Sequence, residues 1–119
     1  MADENINRIF SNNLRKWLSI RHKTQADMYK KMGVSSASAA DWCTGKKMPK
    51  VDKIVALADW LMIELSDLLE DGDRVPSDMD RLIYRLKDDR YFYELVRDIN
   101  GFDDNLFQKV SDYVELLKK

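Results

Sequence analysis

Twenty-six residues near the N-terminus, Thr24–Pro49 (TQADMYKKMGVSSASAADWCTGKKMP), leave few folds open to this chain. Thr24 has the side chain of a helix cap, and Asp27 follows three residues later as a weaker form of the capping-box acid. Met28 and Met32 then mark the inner face of a short helix over 25–32. Gly33 stands where a helix end favours a left-handed residue. Val34 is expected to point inward and Ser35 to cap a third helix over 36–43. There Ala39 and Ala40 permit close approach and Trp42 supplies bulk. Thr44–Pro49 reads as a loop, since proline blocks continuation of the preceding helix. Two short helices held at a fixed angle by a tight turn are the expected result.

The flanking sequence reads as helix throughout. Ile6, Ile9, Phe10, Leu14, Trp17 and Leu18 recur at three- and four-residue spacing, which predicts a first helix over 5–21 with Arg8, Arg15, Lys16 and Arg21 on its far face. Ile54, Val55, Leu57, Ala58, Leu61 and Met62 predict a fourth over 51–62, and Leu65, Leu68 and Leu69 a short fifth. Glu70–Ser77 (EDGDRVPS) breaks the pattern with acids, a glycine and a proline. We place a boundary there, giving a domain over 1–70, a linker over 71–77 and a helical extension over 78–119. In the extension Met79, Leu82, Ile83 and Leu86 form one apolar stripe, and Phe92, Leu95, Val96 and Ile99 another. Asp88–Asp89 either separates them or lies within one long helix. Asp103 is expected to cap a last helix bearing Leu106, Phe107, Val110, Tyr113, Val114 and Leu117 on one face. The fold class is all-α.

Charge is distributed unevenly. The net value is −1, which argues against a nonspecific nucleic-acid binder. Yet Arg8–Lys53 holds eleven basic residues against three acidic ones, net +8, whereas Asp71–Lys119 is −3. A basic half beside an acidic half fits a nucleic-acid-binding module with a second function attached. One cysteine makes no internal disulfide, the N-terminus lacks a signal-peptide layout, and no apolar run approaches the roughly 20 residues of a membrane span. A cytoplasmic, non-membrane protein is expected. His22 and Cys43 are single soft ligands, so no metal site is expected. No nucleophile–base pair or carboxylate cluster suggests an enzyme, and no cofactor is implied. Trp17, Trp42 and Trp60 lie on apolar helical faces and read as core rather than as base-stacking platforms.

Several motifs occur in a fixed order: Thr24-Gln25 opening the second helix, Gly33-Val34-Ser35 in the turn, and Asp41-Trp42 ending the third. Gly45-Lys46-Lys47-Met48-Pro49 and Leu65-Ser66-Asp67-Leu68-Leu69 follow. With this spacing the chain resembles, from about Phe10 to Leu69, the Cro/C1-type (XRE) helix-turn-helix family of bacterial and phage regulators, most of all the N-terminal domains of phage C1-like repressors. The resemblance implies a five-helix, lambda-repressor-like DNA-binding domain followed by two or three C-terminal helices. About fifty residues beyond the boundary are too few for the self-cleaving peptidase domain of many such repressors. It further implies that Gln25, Ser38, Lys46, Lys47, Lys50 and Lys53 face phosphates, and that Ser36, Ala37 and Asp41 face base edges. Gln25 also reads as a plain helix-start residue, the lysines as solvated, and Asp41 as a helix cap or a lysine partner. The expected function is a sequence-specific regulator of transcription, a repressor, that inserts helix 36–43 into the major groove of an operator. It is expected to act as a homodimer through residues 78–118, with a regulatory protein as a further partner. The alternative reading is a protein-interaction module, of antitoxin or antirepressor type, that uses the helix-turn-helix as scaffold.

Overall fold

The computed structural model describes residues 2–119, with side chains from Asn5 onward. The described residues form eight helices and no strand: α1 (Ala2–Ile20), α2 (Gln25–Met32), α3 (Ser36–Thr44), α4 (Val51–Leu61), α5 (Leu65–Leu69), α6 (Asp78–Asp88), α7 (Arg90–Asn100) and α8 (Asp104–Leu117). They divide into two compact units, Met1–Arg74 and Val75–Lys119.

In the first unit, α1 crosses α3 and α5, α2 packs on α3, and α4 packs on α5. Phe10, Leu14 and Trp17 from α1 are fully buried with Met28, Leu57, Leu61 and Leu68. Each such side chain contributes about 1.5–3 kcal/mol by leaving water. Trp42 joins the same core, and Trp60 packs against its edge half-buried. The buried side chains of Ser11, Asn13, Arg21 and Asp67 have partners, as burial demands, whereas the buried Trp17 Nε1 has no hydrogen-bond acceptor among the described residues. Ser11 Oγ donates to the Arg8 carbonyl at 3.0 Å, and Asn13 Nδ2 donates to the carbonyls of Leu68 and Glu70, both at 2.9 Å.

Arg21 corrects the sequence reading, which placed it on the solvent side of α1. It is 4% exposed. Its Nε donates to the Leu61 carbonyl at 2.9 Å and its Nη2 to the Met62 carbonyl at 3.2 Å. A guanidinium set on the last carbonyls of α4 offsets both their unpaired state and the negative helix end. The chain turns there because α1 ends at Ile20 and His22 adopts a left-handed φ of 58°.

In the second unit α6 packs on α7. The two are separate helices because Asp89 is extended (φ −111°, ψ 101°) and its carboxylate accepts from the Phe92 amide at 3.0 Å. Asp103 caps α8 by accepting from the Leu106 amide at 2.9 Å. Tyr84 is buried, but α7 and α8 contain no buried residue.

Candidate nucleic-acid interface

The local rules that set α2 and α3 also aim them. Thr24 and Asp27 complete a reciprocal cap: the Asp27 amide donates to Thr24 Oγ1 at 3.0 Å, and the Thr24 amide donates to the Asp27 carboxylate at 2.8 Å. That bonded backbone amide, with the Thr24 hydroxyl beside it, holds the Asp27 carboxyl below the usual aspartate range. Gly33 ends α2 at φ 67°, and the Val34 amide bonds back to the Tyr29 carbonyl at 3.1 Å. Ser35 then opens α3 by accepting from the Ser38 amide at 3.1 Å.

α3 presents two opposed faces. Ala39, Trp42 and Cys43 are buried. Burial pushes the Cys43 thiol pKa up, so it stays protonated in the interior at neutral pH. Ser36, Ala37 and Thr44 are exposed on the outside, with Ala40 and Asp41 half-buried between them. Positions 37, 40, 41 and 44 share one stripe by helical spacing. Thr44 belongs to that stripe and was not among the expected readers. Its place at i+7 from Ala37 was the signal available.

The loop after α3 turns on Gly45, at φ 81°. The amides of Lys46 and Lys47 both donate to the Asp41 carbonyl, at 3.0 and 3.3 Å. Pro49 is buried and Met48 packs against the core, so Lys46, Lys47 and Lys50 are carried outward on an anchored loop. Gln25 is exposed as the first residue of α2. The half-buried Ser38 receives a hydrogen bond from Ser35 Oγ at 3.0 Å and keeps its own proton to give.

Three expected DNA-facing residues, Lys53, Asp41 and Lys47, are engaged within the fold. Lys53 Nζ donates to the Met32 carbonyl at 2.9 Å, tying α4 to the end of α2. Asp41 lies 4.0 Å from Lys47 Nζ, with Lys47 far more exposed than its partner. The same unit thus carries an outward stripe of small side chains, an exposed helix N-terminus and a lysine-bearing loop. Such a surface suits an anionic backbone on both edges of a groove.

A family model for the Cro/C1-type helix-turn-helix DNA-binding domain matches residues 13–73. The chain belongs to that family. Among solved structures it is similar to the SOS-response transcriptional repressor LexA from Eubacterium rectale, solved in solution. Identity is 37% over 62% of this chain and 83% of that one, with a TM-score of 0.53. A crystal structure of a transcriptional regulator from Listeria innocua matches at 15% identity over 92% of both chains, with a TM-score of 0.49. No curated protein matches.

Within this Cro/C1-type domain, the helix-turn-helix pair is α2 and α3. Among the described residues no group of His, Cys, Asp or Glu is arranged to hold a metal, and no helix is long and apolar enough to cross a membrane. The matched region ends at Asp73, inside the segment read from sequence as a linker. That segment is not uniform: up to Arg74 it is bonded to α1.

Proposed function

We propose that the protein is a sequence-specific regulator of transcription, a repressor that occupies its operator as a homodimer. α3 enters the major groove with Ser36, Ala37, Asp41 and Thr44 toward the bases. Gln25, Ser38, Lys46, Lys47 and Lys50 hold the phosphates on either side, and Lys53 adds charge while bracing α2. The observation that carries this reading is the pairing of an outward small-residue stripe on α3 with three exposed lysines on an anchored loop. Short readers imply weak direct discrimination. Ala37 meets a thymine methyl, Ser36 accepts or donates singly, Thr44 accepts while its own proton goes to the Asp41 carbonyl, and Asp41 accepts from a cytosine amino group only when it leaves Lys47. One good hydrogen-bonded pair of this kind supplies about 1–3 kcal/mol, so DNA shape and paired half-sites supply the rest.

A second reading, the protein-interaction module, draws on a different observation. The extension exposes Met79, Leu82, Ile83, Tyr91, Leu95, Phe107, Tyr113 and Leu117. Apolar faces of this extent mark association with protein. In our reading they join two copies; in the rival they hold a regulatory partner while the DNA surface lies idle.

Affinity selection from random duplexes, followed by gel shift, separates the two. Lys46→Glu/Lys47→Glu is expected to weaken binding to the selected site at least about tenfold. It should also flatten the log–log salt dependence by roughly 0.9 for each phosphate no longer neutralised. Failure of the unaltered protein to retain any duplex at low salt overturns the regulator reading.

A further inference from the structure

The short segment after α5 is fastened to the flank of α1. Asn13, Lys16 and Trp17 stand at i, i+3 and i+4, one face of that helix. Asn13 holds the carbonyls of Leu68 and Glu70. Lys16 Nζ donates to the Arg74 carbonyl at 3.1 Å and the Gly72 carbonyl at 3.4 Å. Arg74 turns back so that its Nε meets Asp67 Oδ1 at 3.0 Å, and its guanidinium stands 5.4 Å from the centre of the Trp17 ring. Asp67 is itself fixed, since its other oxygen accepts from the Glu64 amide at 2.8 Å. Three residues later Ser77 is committed to α6, its hydroxyl accepting from the Asp80 amide at 3.1 Å.

Only Val75 and Pro76 lie between these two fastenings, and proline fixes its own φ. From Arg74 to Ser77 the chain spans about 11 Å at full extension. Were Asp71–Arg74 released, the free stretch would run from Glu70, still held by Asn13, and span about 25 Å. The difference matters to a dimer on two half-sites, because binding of the second half is intramolecular. Its effective concentration collapses when the tether cannot reach.

We propose that the fastened segment makes this protein selective for the distance between its half-sites, with Lys16 and Arg74 as the positioning residues. The inference rests on the dimeric, two-half-site reading above. Moving one half-site by half a turn shifts it about 17 Å along the axis and onto the other face of the duplex. Two short tethers do not follow that change; two released ones do.

The test uses the full chain and duplexes carrying two copies of the selected half-site at stepped separations. Sedimentation comes first: a chain that stays monomeric on such duplexes overturns the dimer reading and this inference together. For a dimer, the unaltered protein is expected to lose about tenfold or more in affinity at the half-turn step. Lys16→Ala/Arg74→Ala should lose less than about threefold, with single half-site affinity unchanged. A Gly-Ser-Gly insertion after Arg74, which leaves the fastening intact, should broaden the tolerance equally and guards against misfolding of the double variant. Equal losses in all three proteins, or tolerance of the step by the unaltered one, overturn the inference while the dimer stands. Broadening by the insertion alone removes Lys16 and Arg74 from the role.

Discussion

At the scale of single residues, the capping pair Thr24–Asp27 has a consequence that depends on pH. The folded Asp27 carboxyl titrates below its ordinary range because it accepts the Thr24 amide. A lowered folded pKa means stability that is fully present above the ordinary aspartate value, about 3.9. That stability is lost as pH falls through the folded value. Asp27→Asn should therefore melt earlier than the unaltered protein at neutral pH, with the gap closing as pH drops below about 4. Thermal melts at stepped pH check this; a gap independent of pH would show that the carboxylate charge contributes nothing. This pair was legible in the sequence because its partners are three residues apart. Arg21 was not: its acceptors on Leu61 and Met62 lie some forty positions away, and spacing along one helix cannot reveal a carbonyl brought in by another. Lys53 and its Met32 carbonyl escaped for the same reason.

Elements were easier to read than their junctions. α2 occupies the expected residues, and α3 and α4 differ from expectation by one, because caps, glycines and proline act within a turn of themselves. The crossing of α1 over α3 was hidden, and Gly45 is where it shows. A Cβ at this position would lie 3.2 Å from Ser11 Oγ and 3.4 Å from the Asn7 carbonyl oxygen, on a backbone already at φ 81°. Gly45→Ala is expected to cost about 1–3 kcal/mol, combining left-handed strain with the crowded α1 backbone. Because the lysine loop departs from this residue, DNA affinity should fall as well. Denaturant unfolding and gel shift measure the two effects. Unchanged stability would mean that α1 yields freely at the crossing. Gly33, with open space around its missing Cβ, meets only the strain.

For the molecule as a whole, the sequence showed two regions of opposite charge and a break between them. It did not show that the break is divided, bonded to α1 up to Arg74, then passing through an exposed Val75 and a buried Pro76 to the cap of α6. The donors that hold it, Asn13 and Lys16, look like ordinary surface polars on an amphipathic helix. Dimerisation belongs to this scale. A fragment ending at Ser77 keeps every bond that fastens Glu70–Arg74 and should sediment as a monomer, whereas the full chain should be a dimer. Identical monomeric behaviour of both would assign the apolar faces of α6–α8 to another partner. The outward stripe of α3 has an evolutionary meaning too. Ser36, Ala37 and Thr44 stand in solvent and leave the packed interior to Ala39, Trp42 and Cys43. Drift at those three positions is nearly invisible to folding, so under the reading proposed above a lineage carrying this scaffold exchanges its target without renegotiating its architecture.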